Sequence, residues 1–185
     1  MSDETTVKFN LAFAEPLGCY TVSVVAFLVA MIGLGMMTLE QGAGIFTAVA
    51  VIFLLGAFIS YLNSNLLCTM VFGTLAVYFL GLMSGVAGEG IAYLTIFAGV
   101  LFLLEALIAY KVQPIRVLPI LLIFTALGFW VLGAAFLPDV ASDAINTAYG
   151  VVLFLIVTII AMYLGSAVAL FLSEGKEVLP LLMKK

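Results

Sequence analysis

The chain has 185 residues, of which 66% are hydrophobic and 9% are charged, and its formal net charge is −4 at pH 7. Soluble domains contain about 45–50% apolar and about 25% charged residues, so this composition excludes a water-soluble fold and indicates that the solvent is lipid. Negative charge with few Lys and Arg residues argues against nucleic acid as a partner. A sequence without histidine lacks the commonest metal ligand and the usual general base.

Six apolar runs follow one another along the chain, each near the length of about 20 residues that a helix needs to cross a bilayer. Short polar breaks separate them, such as "NSN" after the second run and "KVQPIR" after the fourth. Pro114 ends the fourth run, and Pro119 lies in the first turn of the fifth, where a missing N–H costs least. These runs predict an all-α integral membrane protein, a bundle of six transmembrane helices forming one domain over residues 1–185. The predicted spans are residues 17–37, 42–62, 66–88, 90–110, 117–137 and 144–173.

The charges between the runs predict an orientation. With both termini on one side of the membrane, every basic residue falls on that side, and the opposite loops carry only carboxylates. The positive-inside rule makes the basic side cytoplasmic, so we expect a multi-pass protein of the cell membrane (the cytoplasmic membrane in a prokaryote) with both termini in the cytoplasm. The start "MSDETTVKFN" is acidic and polar, whereas a secretory signal would begin with positive charge, so we expect no signal peptide. The basic residues are Lys8, Lys111, Arg116, Lys176, Lys184 and Lys185, and the opposite carboxylates are Glu40, Glu89, Asp139 and Asp143.

The sequence offers no enzyme constellation. It has no Ser/His/Asp set, no phosphate-binding loop, no pair of carboxylates within a span and no cluster of metal ligands. We therefore expect that the protein is not an enzyme and holds neither a metal nor a cofactor. Cys19 and Cys68 lie far apart in the sequence and near the predicted cytoplasmic side, so we expect free thiols.

Glu105 is the only charged side chain well inside a predicted span. Charged groups in lipid usually face a partner or a water-filled path. Glu105 lies six residues before Lys111, roughly 9 Å along a helix, which places it toward the cytoplasmic end. Two interpretations stay open: a proton site, if the side chain faces a transport path, or a carboxylate near the interface that is solvated or paired with a basic group.

The stretch "AEPLGCY" at residues 14–20 places an acid, a proline and a glycine at the start of the first span. Glu15 suits the positive end of the helix dipole, and Pro16 suits a helix start. Gly18 leaves space that can admit another helix or a small ligand. Hydroxyl groups of the spans, such as those of Tyr20 and Thr21, could line a path for a polar solute or bond a backbone carbonyl one turn back.

This stretch resembles the signature NPAPLGL of the acetate uptake transporter family, the succinate–acetate permeases. Pro16, Leu17 and Gly18 match that signature, whereas Phe13 stands in place of its asparagine. Because Glu15 also differs from the signature, anion binding at this point is an open question: the carboxylate would repel an anion unless it is protonated or turned away.

Three further stretches are similar to the family in their order and spacing. "GIFTAVAVIFLLGAFISYLNSN" at 44–65 looks like the second span, in which Tyr61 and Asn65 match. "IRVL" at 115–118 looks like the basic stretch that opens the fifth span. "YLGSAVALFLSEGKEVLPL" at 163–181 looks like the C-terminal end of the family. The resemblance therefore covers nearly the whole chain.

The resemblance implies six transmembrane helices around a narrow path in each protomer, assembled into hexameric rings. The family path narrows at a belt of three apolar side chains from the first, third and fifth spans. Ungapped alignment places Val22, Leu75 and Thr125 there, whereas a shift by one residue in the fifth span would place Phe124 there. Nearby aromatic residues could substitute in the belt. The residues that the resemblance assigns to the path are Pro16, Leu17, Gly18, Tyr20, Thr21, Val22, Tyr61, Asn65, Phe72, Leu75, Phe124 and Thr125, with Tyr78 as a further aromatic.

These observations favour a membrane transporter or channel for acetate and similar short carboxylates, with proton coupling as an open question. The expected partners are a short carboxylate, the lipid bilayer and further copies of the chain in a homo-hexamer. One alternative is a channel for another small polar solute, such as a urea-type amide. A second alternative is an accessory membrane protein without a path. The transport hypotheses predict a continuous path lined by the first, third and fifth helices, whereas the accessory hypothesis predicts a filled bundle.

Overall fold

The computed structural model describes residues 14–86, 88–137 and 143–183, of which 143–145 are described by their backbone alone. This part of the chain forms six α-helices and no strand apart from one isolated bridge. All six helices are long and apolar enough to cross a membrane, so the chain is an all-helical, multi-pass membrane protein. The helices are α1 (Ala14–Gly33), α2 (Leu39–Leu62), α3 (Leu66–Met83), α4 (Glu89–Val112), α5 (Val117–Ala135) and α6 (Asp143–Glu174).

The first helix begins a few residues earlier than the predicted span, residues 17–37, and also ends a few residues earlier. It starts at Ala14, so Pro16 lies in the first turn, where its missing N–H leaves no hydrogen bond unmade. It ends at Gly33, because the chain reverses two residues later at Gly35, which adopts a left-handed φ of 69°.

The second and third helices also differ from the predicted spans, and local backbone chemistry explains both differences. α2 begins earlier than predicted, because Thr38 and Gln41 form a capping box at its N-terminus. α3 ends earlier, at Met83, because Gly85 follows with a left-handed φ of 94°. Caps and glycine turns therefore set these ends, rather than the limits of the apolar runs.

The six helices form a closed ring in chain order. Each packs against the helices that precede and follow it, and α6 packs against α1. Glycine permits close approach in the α1–α6 contact, since a β-carbon at Gly165 would lie 3.1 Å from Cβ of Cys19. In the α4–α5 contact, Trp130 Nε1–H donates to the carbonyl of Ile96 at 3.2 Å. The ring encloses a space that residues of all six helices line.

One end of the ring carries the start of α1, the α2–α3 turn, the α4–α5 loop and the end of α6, and we call it the mouth end. The described basic residues, Lys111, Arg116 and Lys176, belong to this end. Glu40 and Glu89 begin helices at the opposite end. Lys8, Lys184, Lys185 and Asp139 lie outside the described residues, and only the backbone of Asp143 is described.

Residues 175–183 follow α6 and pack against the α4–α5 loop, and we call them the C-terminal strap. The backbone N–H of Arg116 donates to the carbonyl of Leu181 at 3.3 Å. The hydroxyl of Tyr163 donates to the carbonyl of Pro180 at 2.8 Å. The side chain of Leu181 is 0% exposed. The strap therefore joins α6 to the loop between α4 and α5.

Candidate functional site

A cavity of about 1130 Å³ occupies the mouth end of the ring. We call it the vestibule. Aliphatic and aromatic side chains form most of its wall, and polar side chains gather where helices begin or end. Its lining consists of Glu15, Cys19, Val22, Leu62, Asn63, Ser64, Asn65, Cys68, Val71, Phe72, Leu75, Phe102, Gln113, Ile115, Leu118, Leu121, Leu122, Thr125, Leu164, Val168, Phe171 and Leu172.

Two polar side chains of the vestibule, Glu15 on α1 and Asn65 before α3, are bonded to each other. Asn65 Nδ2 donates to Glu15 Oε1 at 2.8 Å. Asn65 Oδ1 accepts from the backbone N–H of Cys68 at 3.2 Å and so caps α3. Because both ends of one amide are engaged, the side chain of Asn65 links the starts of two helices and holds the Glu15 carboxylate in the vestibule wall.

Val22, Leu75 and Thr125 line the vestibule, and we call these residues the neck. All three also line a second cavity of about 20 Å³, so they stand between the two spaces. The Thr125 hydroxyl donates to the carbonyl of Leu121 at 2.9 Å. With that hydroxyl already bonded along its own helix, the neck offers a solute mainly apolar surface.

Aromatic rings close the space beyond the neck. Phe129 lies 4.7 Å from Tyr78 and 5.7 Å from Phe154, measured between ring centroids, and Phe53 and Phe79 stack 6.2 Å apart. We call these five residues, which all line the small cavity, the aromatic plug. A volume of about 20 Å³ holds about one water molecule. The structure therefore shows a wide vestibule that ends at the plug, not a path that stays open to the other end.

The structure brings part of the predicted path together in the vestibule wall and leaves the rest outside it. The division follows helix geometry, because consecutive residues of a helix point about 100° apart and only one face can line a central space. The predicted residues that line the vestibule are Val22, Asn65, Phe72, Leu75 and Thr125. Those that line neither cavity are Pro16, Leu17, Gly18, Tyr20, Thr21, Tyr61, Phe124 and Glu105.

The start of α1 lies behind the vestibule wall. Gly18 is buried against Phe72, so the space beside this glycine holds a side chain of another helix. Thr21 donates to the carbonyl of Leu17 at 2.8 Å, which is the backbone-bonded alternative that the sequence left open. The hydroxyl of Tyr20 is 2.9 Å from that of Ser166 on α6, away from the vestibule. Of the stretch "AEPLGCY", only Glu15 and Cys19 line the cavity.

Tyr61 and Phe124 also face away from the vestibule. The side chain of Tyr61 is 66% exposed near the end of α2. In α5, Thr125 lines both cavities, whereas Phe124, one residue earlier, lines neither and is only partly buried.

Glu105 is buried between α3 and α4. Its side chain is 2% exposed, and Oε1 accepts a hydrogen bond from the hydroxyl of Thr74 at 2.8 Å. Oε2 is buried without a hydrogen-bond partner among the described residues. A proton site on the path requires that the side chain faces the path. Glu105 lines neither cavity, so its side chain does not meet this requirement in this conformation.

Several residues of the site could not be identified from the sequence. α4 contributes Phe102, and α6 contributes Leu164, Val168 and Phe171, although only the first, third and fifth spans were expected to line the path. The α6 residues recur at helical spacing, but α6 is apolar on all sides, so this face has no contrast with the others. Phe129, at the centre of the plug, is one of 15 phenylalanines in the chain, and no pattern sets it apart.

The fold matches that of a solved structure described as "Structure of the bacterial acetate channel SatP". The match has a TM-score of 0.78 and 20% sequence identity, and it covers 92% of this chain and 98% of that chain. No protein-family model and no curated protein sequence matches the chain. Likeness at this level of identity establishes the fold. The predicted resemblance to the acetate uptake transporter family is thereby supported at the level of fold: the chain has the six-helix architecture of a bacterial acetate channel.

Proposed function

We propose that this chain is a membrane channel or transporter for acetate and similar short carboxylates, in the acetate uptake transporter family. The observation that carries the proposal is the vestibule, a cavity of about 1130 Å³ inside the ring of helices, which shares the three neck residues with the small cavity. A small solute needs a space of this kind to enter the bundle, whereas an accessory bundle would be filled at its centre. The fold shared with a bacterial acetate channel supports the same class of solute.

The neck acts in this proposal as the selective constriction. Val22, Leu75 and Thr125 offer few hydrogen bonds to replace the water around an anion, and desolvating a charge is costly. A small carboxylic acid or carboxylate with a thin shell of water passes more readily than a large hydrated ion. This constriction takes the place of the apolar belt that the family resemblance implies.

The aromatic plug acts as the gate. Phe129 contacts rings from α3, α4 and α6, so a rotation of its side chain would change the width of the space beyond the neck. Side-chain rotations of this kind need no rearrangement of the ring of helices. The conformation described here is then the closed one.

Orientation and assembly complete the proposal. Lys111, Arg116 and Lys176 belong to the mouth end, so the positive-inside rule places the vestibule on the cytoplasmic side of the cell membrane. The homo-hexamer rests on the family resemblance. Exposed apolar side chains such as Phe58 and Phe97 supply surface for lipid or for neighbouring protomers.

Proton coupling is a separate part of the proposal. The structure offers two carboxyl groups within the bundle: Glu15 in the vestibule wall and Glu105 behind it. Since Glu105 lines neither cavity, coupling through it would require a motion that brings its side chain to the path. An imposed proton gradient separates coupled uptake from simple conduction.

The test is uptake of labelled acetate into liposomes that contain the purified protein, compared for wild type, Val22→Trp and Val24→Trp. Val22 is at the neck, whereas Val24, two residues further along α1, is 53% exposed on the outer surface. We expect the wild type and Val24→Trp to take up acetate and Val22→Trp to lose uptake, because the indole fills the neck. Empty liposomes measure the passive leak of acetic acid.

Three outcomes contradict the proposal in different ways. Equal uptake by the two tryptophan variants would remove the neck from the path. Uptake of labelled urea without acetate would favour an amide-type channel. Absence of uptake of either solute by correctly folded protein would favour the accessory role.

A further inference from the structure

We propose that Glu15, positioned by Asn65, makes the mouth of the vestibule discriminate by charge, so that this chain passes monocarboxylates and disfavours dicarboxylates. The inference rests on the proposed function and assigns a specificity role to a residue that otherwise serves the start of α1. It names the substrate class more narrowly than short carboxylates in general.

The first observation is the composition of the wall. Glu15 is the single charged side chain among the described residues that line the vestibule. Arg116, which lies between the lining residues Ile115 and Leu118 in the sequence, does not line the vestibule. Its Nη1 donates to the carbonyl of Tyr110 at 2.7 Å, and its guanidinium carbon lies 4.4 Å from the centre of that tyrosine ring. A carboxylate that enters the vestibule therefore meets negative charge without a cation in the described wall to offset it.

The second observation is that the Glu15 carboxylate is held in place. Asn65 Nδ2 donates to Glu15 Oε1 at 2.8 Å, while Oδ1 of the same amide is fixed by the N-cap bond to the backbone of Cys68. This amide cannot turn to offer its donor to a substrate without giving up both bonds. Asn65 is thus a positioning residue, because one of the two N–H groups of its amide is bonded to the Glu15 carboxylate.

The third observation concerns the helix termini at the mouth end. α1, α3 and α5 all begin there, and helix N-termini attract anions. At α1, the negative charge of Glu15 in the first turn offsets the attraction. At α3, the side chain of Asn65 accepts a hydrogen bond from the backbone N–H of Cys68, which is then not available to an anion. The mouth therefore attracts anions less than the arrangement of the helices alone would suggest.

Coulomb repulsion converts this geometry into selectivity. The repulsion energy is proportional to the charge of the solute, so a dianion meets twice the repulsion that a monoanion meets. The second carboxylate of a dicarboxylate must also be desolvated at the apolar neck. At neutral pH both carboxyl groups of succinate are ionised, which makes succinate a suitable probe.

The experiment compares uptake of labelled succinate and labelled acetate at pH 7 by liposomes with wild type, Glu15→Gln and Glu174→Gln. Glu174→Gln, at the end of α6, removes the same charge from the same end of the bundle, but Glu174 lines neither cavity. For Glu15→Gln we expect succinate uptake to rise about tenfold. Acetate carries half the charge and so gains half the free energy, which corresponds to the square root of that factor, about threefold. For Glu174→Gln the ratio of the two uptakes stays at the wild-type value.

A second variant gives the opposite sign and guards against loss of fold in the first. Gln113→Glu keeps nearly the shape of a neutral side chain of the vestibule wall and adds a second negative charge there, without breaking the bond between Asn65 and Glu15. We expect the ratio of succinate to acetate uptake to fall about threefold. An unchanged ratio in folded Glu15→Gln or Gln113→Glu, with acetate uptake intact, overturns the charge discrimination alone. Absence of acetate uptake in the wild type overturns the proposed function and this inference with it.

Discussion

The aromatic ring of Phe72 lies directly against the backbone of Gly18. A β-carbon built on Gly18 would be 2.0 Å from Cζ of that ring, closer than two carbon atoms can approach. Because Phe72 also lines the vestibule, the glycine behind it determines how far the ring stands back from the cavity. Position 18 therefore sets the width of the vestibule indirectly.

We predict that Gly18→Ala displaces the ring of Phe72 and lowers acetate uptake several-fold. Overpacking of this kind typically costs about 1–3 kcal/mol, so the protein should also unfold more easily in detergent. Uptake into liposomes and thermal unfolding of the purified variant are the two measurements. The same reasoning makes Gly18→Leu a less specific test of the path, because its larger side chain disrupts the α1–α3 packing as well.

A matched control is Gly73→Ala on α3. A β-carbon there meets nothing within 4 Å, so no side chain needs to move. Replacing a helical glycine by alanine then stabilises the helix by about 0.5–1 kcal/mol. Loss of uptake in Gly73→Ala as large as that in Gly18→Ala would show that any added methyl group impairs transport.

The sequence was sufficient to predict the number of helices and their order, because apolar runs separated by turns are what a bilayer requires. The family resemblance assigned Val22, Leu75 and Thr125 to one level of the path, and all three line both cavities. Whether these residues act as the constriction is what the Val22→Trp experiment tests.

The rotation of each helix about its axis could not be predicted in the same way. In helices that are apolar on all sides there is no polar face to mark the outside, since lipid and core both accept leucine and phenylalanine. This is why Tyr61 and Phe124 were assigned to the path although they face away from it. The bond between Glu15 and Asn65 could not be predicted either, because the two residues are distant in sequence and come together only in the folded bundle.

We predict that Glu105→Gln leaves acetate uptake and its response to a proton gradient unchanged, because Glu105 lines neither cavity. The amide oxygen of glutamine still accepts the hydrogen bond from Thr74, so stability should change by no more than about 1 kcal/mol. The measurements are uptake with and without an inward proton gradient, and thermal unfolding. Loss of gradient dependence in the folded variant would instead place this carboxyl group in the proton pathway.

Thr74→Val examines the same bond from the other side. It removes the donor and leaves the buried Glu105 Oε1 without this partner, which typically costs about 1–3 kcal/mol. Because valine has nearly the shape of threonine, lost packing contributes little. The double variant Thr74→Val, Glu105→Gln should be less unstable than the sum of the two single changes, and simple additivity would contradict a direct interaction.

We predict that Phe129→Ala opens the aromatic plug. The ring of Phe129 is buried and lies near those of Tyr78, Phe102 and Phe154. Removing this ring leaves its volume empty, and that volume enlarges the small cavity beyond the neck. Acetate uptake should rise, while stability falls by about 3–5 kcal/mol, as is usual for a large-to-small change in a core. Phe97→Ala on the outer surface, where the side chain is 62% exposed, is the control that should change neither quantity much. A decrease of uptake in folded Phe129→Ala would mean that the ring forms part of the path and does not close it.

The last prediction concerns the C-terminal strap. Leu181 is its buried anchor, and the strap contacts the vestibule rim through the bridge between Met183 and Ile115, a residue of the vestibule wall. Leu181→Ala removes an apolar side chain whose burial is typically worth about 2–5 kcal/mol, so the strap should detach before the helices unfold. At about 2 kcal/mol, the detached population rises about 30-fold, and carboxypeptidase should remove the C-terminal residues correspondingly faster. Leu182→Ala changes the adjacent residue, which is 55% exposed, and should leave the cleavage rate near that of the wild type. If the two variants are cleaved at the same rate, Leu181 does not hold the strap. If Leu181→Ala is cleaved faster and its acetate uptake also changes, the strap controls the rim of the vestibule.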